Sequence, residues 1–232
     1  MIKNLLLSGG GTKGLLTIGS LQYLINEKYF NIDECQLFAG ISVGSIISLL
    51  LCLNYSIDEI ISLSRQIKFE NYEINHYDLS FFIDQYGFDN GDKLILTLEN
   101  ILYEKLQVKD ISFLDLYNHT NKNFIVQACN LSTYKLSTFS HIHSPDMSVI
   151  LAIRMSCSIP IYFTPIIYKD EYYVDGYIIT NIPILENLSN INTLCISIQS
   201  SNIDNNFNNI ACYFKKIIDC YNRNNQMKVS YV

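Results

Sequence analysis

Three short stretches hold the residue types that covalent chemistry needs. The first is Gly40-Ile41-Ser42-Val43-Gly44. A serine nucleophile must project from a turn so tight that the positions two residues to either side have no room for side chains, and glycine meets that requirement at both. A helix starting directly after the serine would aim its free N–H groups and positive dipole end at the reacting atom. Outside such a setting the string is an ordinary turn of small residues. The second stretch is Gly9-Gly10-Gly11-Thr12-Lys13-Gly14. Consecutive glycines leave backbone N–H groups uncovered, and such groups bind either a phosphate or a developing oxyanion. The string also satisfies the G-x-G-x-x-G pattern of dinucleotide sites, with Glu34 at the spacing of a ribose-binding acid, so a nucleotide site competes with a hydrolase. A Walker A loop is excluded, because Leu15 stands where lysine is required. The third stretch is Tyr173-Val174-Asp175-Gly176-Tyr177, where an acid followed by glycine either reaches into a cleft or closes a turn.

The histidines bear on which base Ser42 would use. Hydrolases of the α/β type carry their catalytic histidine after both the serine and the acid. His76, His119, His141 and His143 all precede Asp175. The base must then come from elsewhere, and Asp175, at the end of an expected strand, is the candidate. A triad built on His141 or His143 is the competing arrangement. None of the histidines has a metal-ligand spacing to carboxylates or cysteines.

The elements that must position these residues follow from periodicity. Residues 5–8 form a short apolar run that stops at glycine, which predicts a buried strand. Apolar residues at Leu15, Ile18, Leu21, Leu24 and Ile25 predict a helix over 15–25. A strand at 36–39 then leads through Gly40 into a buried helix over 43–53. Strand, glycine-rich turn, helix, strand, tight turn, helix is the opening of an α/β fold with a parallel sheet. Further helices are predicted at 58–68, 93–106, 110–118 and 147–157, the last ending before Pro160. Strands are expected at 124–128 and 135–139, joined by a polar turn at 132–134, and at 172–174 and 194–198. Residues 71–90 are aromatic and irregular and receive no assignment. Residues 200–209 read as a polar loop and 210–221 as a closing helix. With no linker and no repeat, the expectation is one domain over residues 1–232.

Composition narrows the partners. The chain has 232 residues, a formal net charge of -6 and only 16% charged residues. That balance argues against a nucleic-acid binder, which needs clustered Lys and Arg, and removes attraction to anionic lipid as a main source of affinity. Membrane contact is therefore expected to be transient and apolar. The seven cysteines form no C-x-x-C pair and mostly sit in apolar runs, the pattern of buried free thiols in a reducing compartment. The apolar run after the amino terminus is too short for a signal peptide, and the longest apolar run, residues 43–53, is too short to span a bilayer. A soluble, cytoplasmic protein, peripheral to membranes, is the expectation.

Taken together, these stretches resemble the patatin-like phospholipase family, whose signatures are a G-G-G-x-[KR]-G loop, a G-x-S-x-G elbow and a D-G-[GA] acid motif, in that order. The intervening segments are similar as well. Residues 110–117 resemble the family's T-F-x-x-L segment, and residues 128–132 its T-N-L turn. Residues 152–165, with Arg154, Ser156, Pro160, Phe163 and Pro165, resemble A-x-R-A-S-x-A-x-P-x-x-F-x-P. Asn181-Ile182-Pro183 matches N-x-P. The resemblance covers roughly residues 1 to 200. Two departures stand out. Tyr177 replaces the Gly or Ala that usually follows D-G, which would narrow the cleft or alter substrate choice. Met155 and Ser158 replace alanines, at positions expected not to touch the dyad.

The resemblance implies a central, mostly parallel sheet flanked by helices and a lipid acyl hydrolase of the phospholipase A type that needs no metal or other cofactor. Ser42 would attack the ester carbonyl, Asp175 would accept its proton, and Gly9, Gly10 and Gly11 would form the oxyanion hole, with Gly14, Gly40, Gly44 and Gly176 as motif glycines. The apolar flanks Ile41, Val43 and Val174 fit a cleft that raises the carboxylate pKa from its reference near about 4. Lys13 would hold a lipid phosphate or steady the loop, against the plainer role of a solvated lysine. Arg154 would contact phosphate, against a structural salt bridge. The aromatic stretch from Tyr72 to Phe88 would be a lid or membrane-touching segment, against ordinary core and surface aromatics. A nucleotide-binding protein and a catalytically silent lipid-binding family member are the alternatives. Any activating protein, and the head group and acyl position cut, lie beyond the sequence.

Overall fold

The structure is a computed structural model that describes residues 1–66, 78–186, 188, 192–198, 213, 216 and 217. The helical elements are α1 (Gly14–Asn26), α2 (Val43–Cys52), α3 (Ile57–Gln66), α4 (Leu79–Gln85), α5 (Asp92–Leu106), α6 (Phe113–Thr120) and α7 (Val149–Ser156). The strands are β1 (Asn4–Leu7), β2 (Leu37–Gly40), β3 (Gly87–Asp89), β4 (Asn123–Asn130), β5 (Lys135–Phe139), β6 (Ile161–Phe163), β7 (Ile166–Tyr168), β8 (Glu171–Asp175) and β9 (Thr193–Ile196). Residues 67–77 and the expected loop at 200–209 lie outside the described residues, as does the expected closing helix at 210–221 apart from Tyr213, Lys216 and Ile217, which are helical.

Among the described residues, seven strands form one sheet in the order β7-β8-β4-β2-β1-β9, with β5 pairing β4. β1, β2, β4 and β9 are mutually parallel, and β7, antiparallel to the antiparallel β8, runs with them. Five of the seven strands therefore share one direction, as the sequence predicts. Successive strand residues face opposite sides of a sheet. Leu5, Leu6 and Leu7 are nevertheless all buried, as are Phe38 and Ala39, so the centre of the sheet is covered on both faces. α2 supplies one cover, packing on β1, β2 and β4, and is buried along nearly its whole length. That is why its sequence is apolar all round rather than striped. α7 packs on β4, β8 and α5.

The pairing along β4 decides where the chemistry sits. β5 occupies one edge of β4 over residues 126–130. The other edge is shared: β2 pairs with residues 123–126, and β8, running the opposite way, pairs with residues 128–130. The C-terminal ends of β2 and β8 thus meet head to head across Gln127, Gly40 opposite Val126 and Asp175 opposite Ala128.

Local signals explain most boundaries. Ser56 and Glu59 form a reciprocal capping box at the start of α3: the Ser56 N–H donates to Glu59 Oε2 at 2.7 Å, and the Glu59 N–H to Ser56 Oγ at 3.2 Å. α6 begins later than the sequence suggests because Ser112 Oγ accepts the Asp115 N–H, so the cap falls at Ser112 rather than Asp110. The unassigned aromatic stretch contains α4 and β3, and β3 pairs with β6 in a two-stranded sheet. β3, β6 and β7 have three residues each, too few to show a period of two. Among the described cysteines none is in a disulfide: Cys35, Cys52, Cys129 and Cys157 are buried, and Cys195 is exposed on the edge strand β9. Among the described residues no helix is long and apolar enough to cross a membrane.

Candidate active site

Ser42 stands between β2 and α2 with φ 53° and ψ -130°, a backbone conformation that costs a non-glycine residue on the order of 1–3 kcal/mol. Close approach holds it there. A Cβ on Gly40 would lie 2.3 Å from the backbone of Gly44, and one on Gly44 would lie 2.4 Å from the Leu7 carbonyl oxygen. The two flanking glycines therefore let the turn fold against itself and against β1. The Ser42 N–H donates to Ser156 Oγ at 2.8 Å, and Ser156 Oγ donates to the Gln127 carbonyl at 2.7 Å. The Ser42 carbonyl accepts the N–H and the hydroxyl of Ser45.

Asp175 reaches the same point from the end of β8. It is 3% exposed, and burial pushes its carboxyl from 3.8 up to about 7; the neighbouring Ser42 hydroxyl, and the Tyr177 N–H that donates to its Oδ1 at 2.9 Å, pull the other way. The Asp175 N–H donates to the carbonyl of Ser158 at 2.9 Å. This corrects the expectation that Ser158 lies clear of the dyad: its backbone anchors the acid. Gly176 lets the chain leave, since a Cβ there would lie 2.8 Å from the Gln127 carbonyl oxygen. Cys157, buried next to Ser42 and Asp175, has its thiol pushed up to about 12 by burial and the Asp175 charge, which keeps it protonated.

The glycine loop follows β1 and touches the same point. A Cβ on Gly9 would lie 3.4 Å from both Ser42 Cβ and Tyr177 Cδ2, so the loop runs between the serine and the tyrosine ring. The Gly9 N–H donates to the Asn181 carbonyl at 3.1 Å, which removes it from the three expected oxyanion donors. Among the described residues the N–H groups of Gly10 and Gly11 meet no acceptor. Gly11, at φ 56°, needs glycine for its backbone conformation. A Cβ on Gly14 would meet Val43 Cγ2 at 2.6 Å, so this glycine sets α1 close to the start of α2.

Other expected residues fall elsewhere. Arg154 is fully buried and takes neither of the roles weighed for it. Its guanidinium donates to Ser158 Oγ at 2.6 Å, the Asn90 carbonyl at 2.9 Å and the Thr164 carbonyl at 3.3 Å, and lies 4.6 Å over the Phe163 ring. It is an internal brace between the β3–β6 sheet and the segment that anchors Asp175. Lys13 is exposed in the turn before α1. His141 stacks on Tyr117 at 4.0 Å, and His143 Nδ1 shares a hydrogen bond with Ser140 Oγ; neither hydrogen-bonds Ser42 or Asp175. Glu34 precedes β2, whereas the glycine loop follows β1. Because the strands are parallel with Asn4 opposite Leu37, the two lie at opposite ends of the sheet and cannot share a dinucleotide. Among the described residues no group of His, Cys, Asp and Glu is arranged to hold a metal ion. Sequence reasoning missed Ser156 and Gln127 as supports; Ser156 sits inside a quoted motif, but only the packing shows what it holds.

A family model described as patatin-like phospholipase matches residues 5–188. A probable lipid hydrolase of Invertebrate iridescent virus 6 is 33% identical over 186 residues, which cover 78% of this chain and 62% of that one. An uncharacterized protein of Acanthamoeba polyphaga mimivirus is likewise 33% identical, over 184 residues covering 79% of this chain and 60% of the relative. The chain thus spans about three fifths of the length of these relatives. Among solved structures, VipD from Legionella pneumophila shares the fold, with a TM-score of 0.63 at 19% identity over 84% of this chain and 49% of that one.

Proposed function

The chain belongs to the patatin-like phospholipase family, and from that premise we propose that it hydrolyses lipid esters with Ser42 as nucleophile and Asp175 as base. The observation that carries this reading is the head-to-head meeting of β2 and β8 on one edge of β4, which buries the serine and the carboxyl against each other. Ser42 Oγ attacks the ester carbonyl while Asp175 takes its proton. The oxyanion that forms accepts the N–H groups of Gly10 and Gly11. Collapse breaks the bond to the leaving alkoxide, which takes the proton from Asp175, and the acyl group stays on Ser42. Water then attacks the acyl-enzyme, Asp175 takes the water's proton, and the proton returns to Ser42 Oγ as the carboxylic acid leaves. A carboxyl held near 7 can run both transfers, whereas one near 4 is a weak base at neutral pH.

The substrate class is a lipid ester such as a phospholipid, met at a transiently contacted membrane surface. Exposed Lys13 is available to a phosphate; Arg154 is not. The Tyr177 ring, set against Gly9 beside the serine, narrows the cleft next to the reacting carbonyl. Labelling with a fluorophosphonate probe tests the reading. Wild type is expected to label and to hydrolyse phospholipid vesicles, and Ser42→Ala to do neither while keeping its unfolding temperature. A folded wild type that stays unlabelled would favour a silent lipid-binding member instead.

A further inference from the structure

We propose that Ser8 is a positioning residue that aims the Gly10 N–H at the oxyanion, an inference that rests on the hydrolase reading. Ser8 is fully buried at the end of β1, and its hydroxyl makes two hydrogen bonds. It donates to the Gly9 carbonyl at 3.0 Å and accepts the Ile198 N–H at 2.9 Å. The Gly9 carbonyl and the Gly10 N–H belong to the same peptide unit. In a planar trans peptide the two groups point in opposite directions. Holding the carbonyl toward the buried hydroxyl therefore turns the Gly10 N–H the other way, out of the interior. Gly10 has no side chain to resist rotation of that unit, so the orientation has to be imposed from outside.

The restraint is closed on itself. The Ile198 carbonyl accepts the Asn181 side-chain amide at 3.0 Å, and the Asn181 carbonyl accepts the Gly9 N–H at 3.1 Å. Ser8, Gly9, Asn181 and Ile198 thus form a ring of hydrogen bonds that fixes the peptide units on both sides of Gly9. The Ile198 side chain backs the loop as well, since a Cβ on Gly10 would lie 2.9 Å from its Cδ1. Asn181 belongs to the N-x-P motif, and the ring gives that residue a task outside the dyad.

An oxyanion donor is worth most when it needs no reorientation as charge develops. Loss of the Ser8 hydroxyl should therefore slow turnover of an oxygen ester far more than it weakens binding. The test compares p-nitrophenyl butyrate with its thionoester, in which sulfur replaces the carbonyl oxygen and accepts hydrogen bonds poorly. In Ser8→Ala the kcat on the oxygen ester should fall by about 10–100-fold with KM little changed, less than the loss of a whole donor. The thionoester should slow less, so that the oxygen-to-sulfur ratio of kcat/KM drops. Ser8→Thr, which keeps the hydroxyl, should retain the ratio. Asn181→Ala enters the ring from the other side and should lower the ratio too, which keeps the test alive if Ser8→Ala does not fold. An equal slowing of both esters, or none, in whichever of the two alanine variants folds would overturn the proposal. Failure of the hydrolase reading itself would look different: wild type would turn over neither ester, or Ser42→Ala would leave turnover of both intact.

Discussion

Replacing Asp175 by asparagine should destroy turnover and, at alkaline pH, stabilise the fold. The carboxyl titrates at 3.8 when unburied and at about 7 in the folded protein, chiefly because burial penalises the charge. A raised pKa means that, between those values, the folded protein holds a proton that the unfolded chain has released. Stability therefore falls as pH rises from about 4 to about 7 and levels off above. At about 1.4 kcal/mol per pKa unit, the gap between the two values corresponds to about 4 kcal/mol, an upper figure. Asparagine keeps the shape but carries no charge. Relative to wild type it should gain about 2–4 kcal/mol between about pH 4 and about pH 8, or roughly 5–15 °C in unfolding temperature for a chain of this size. Urea unfolding and thermal scans of both proteins across that range measure it. In parallel, kcat/KM of wild type should rise with pH through about 7, as the base loses its proton. A stability difference that does not change with pH, or a wild type more stable than Asp175→Asn at about pH 8, would refute the claim that a desolvated carboxyl is held against Ser42.

Gly44→Ala should destabilise the protein by about 1–3 kcal/mol or more, because the new methyl would fall 2.4 Å from the backbone oxygen of Leu7; chemical denaturation measures it. Tyr177→Ala should raise kcat/KM for esters branched next to the carbonyl relative to linear ones, and Tyr177→Phe should not; a series of p-nitrophenyl esters reads the ratio. Arg154→Lys should lower the unfolding temperature clearly, since one ammonium cannot span Ser158, Asn90 and Thr164 as the guanidinium fork does. Lys13→Ala, at an exposed position, should shift stability by no more than about 0.5 kcal/mol while weakening turnover of anionic phospholipid relative to a neutral ester, read by calorimetry and by paired assays.

The serine turn was legible in the sequence because it is a local object. Gly40, Ser42 and Gly44 lie within five residues, and the strand before and helix after them show in the apolar pattern. The glycine loop was legible for the same reason, as was the α/β class. The acid was half legible: the missing late histidine pointed to Asp175, but a lone strand-end aspartate has no period or spacing that ties it to a serine 133 positions earlier. Only the tertiary structure did that, by running β2 and β8 into one another along a shared edge of β4, a non-local pairing that no local window encodes. Arg154 shows the same limit from the other side. Its motif was visible, but a buried guanidinium on backbone carbonyls and a solvent-facing one on phosphate are written with the same letter, and only packing tells them apart. Sequence by itself determined the chemical groups and the turns that bear them, since those depend on neighbours along the chain. The fold decided which groups meet, which N–H groups of the loop meet no acceptor among the described residues, and how far burial raises the acid, because those depend on neighbours in space.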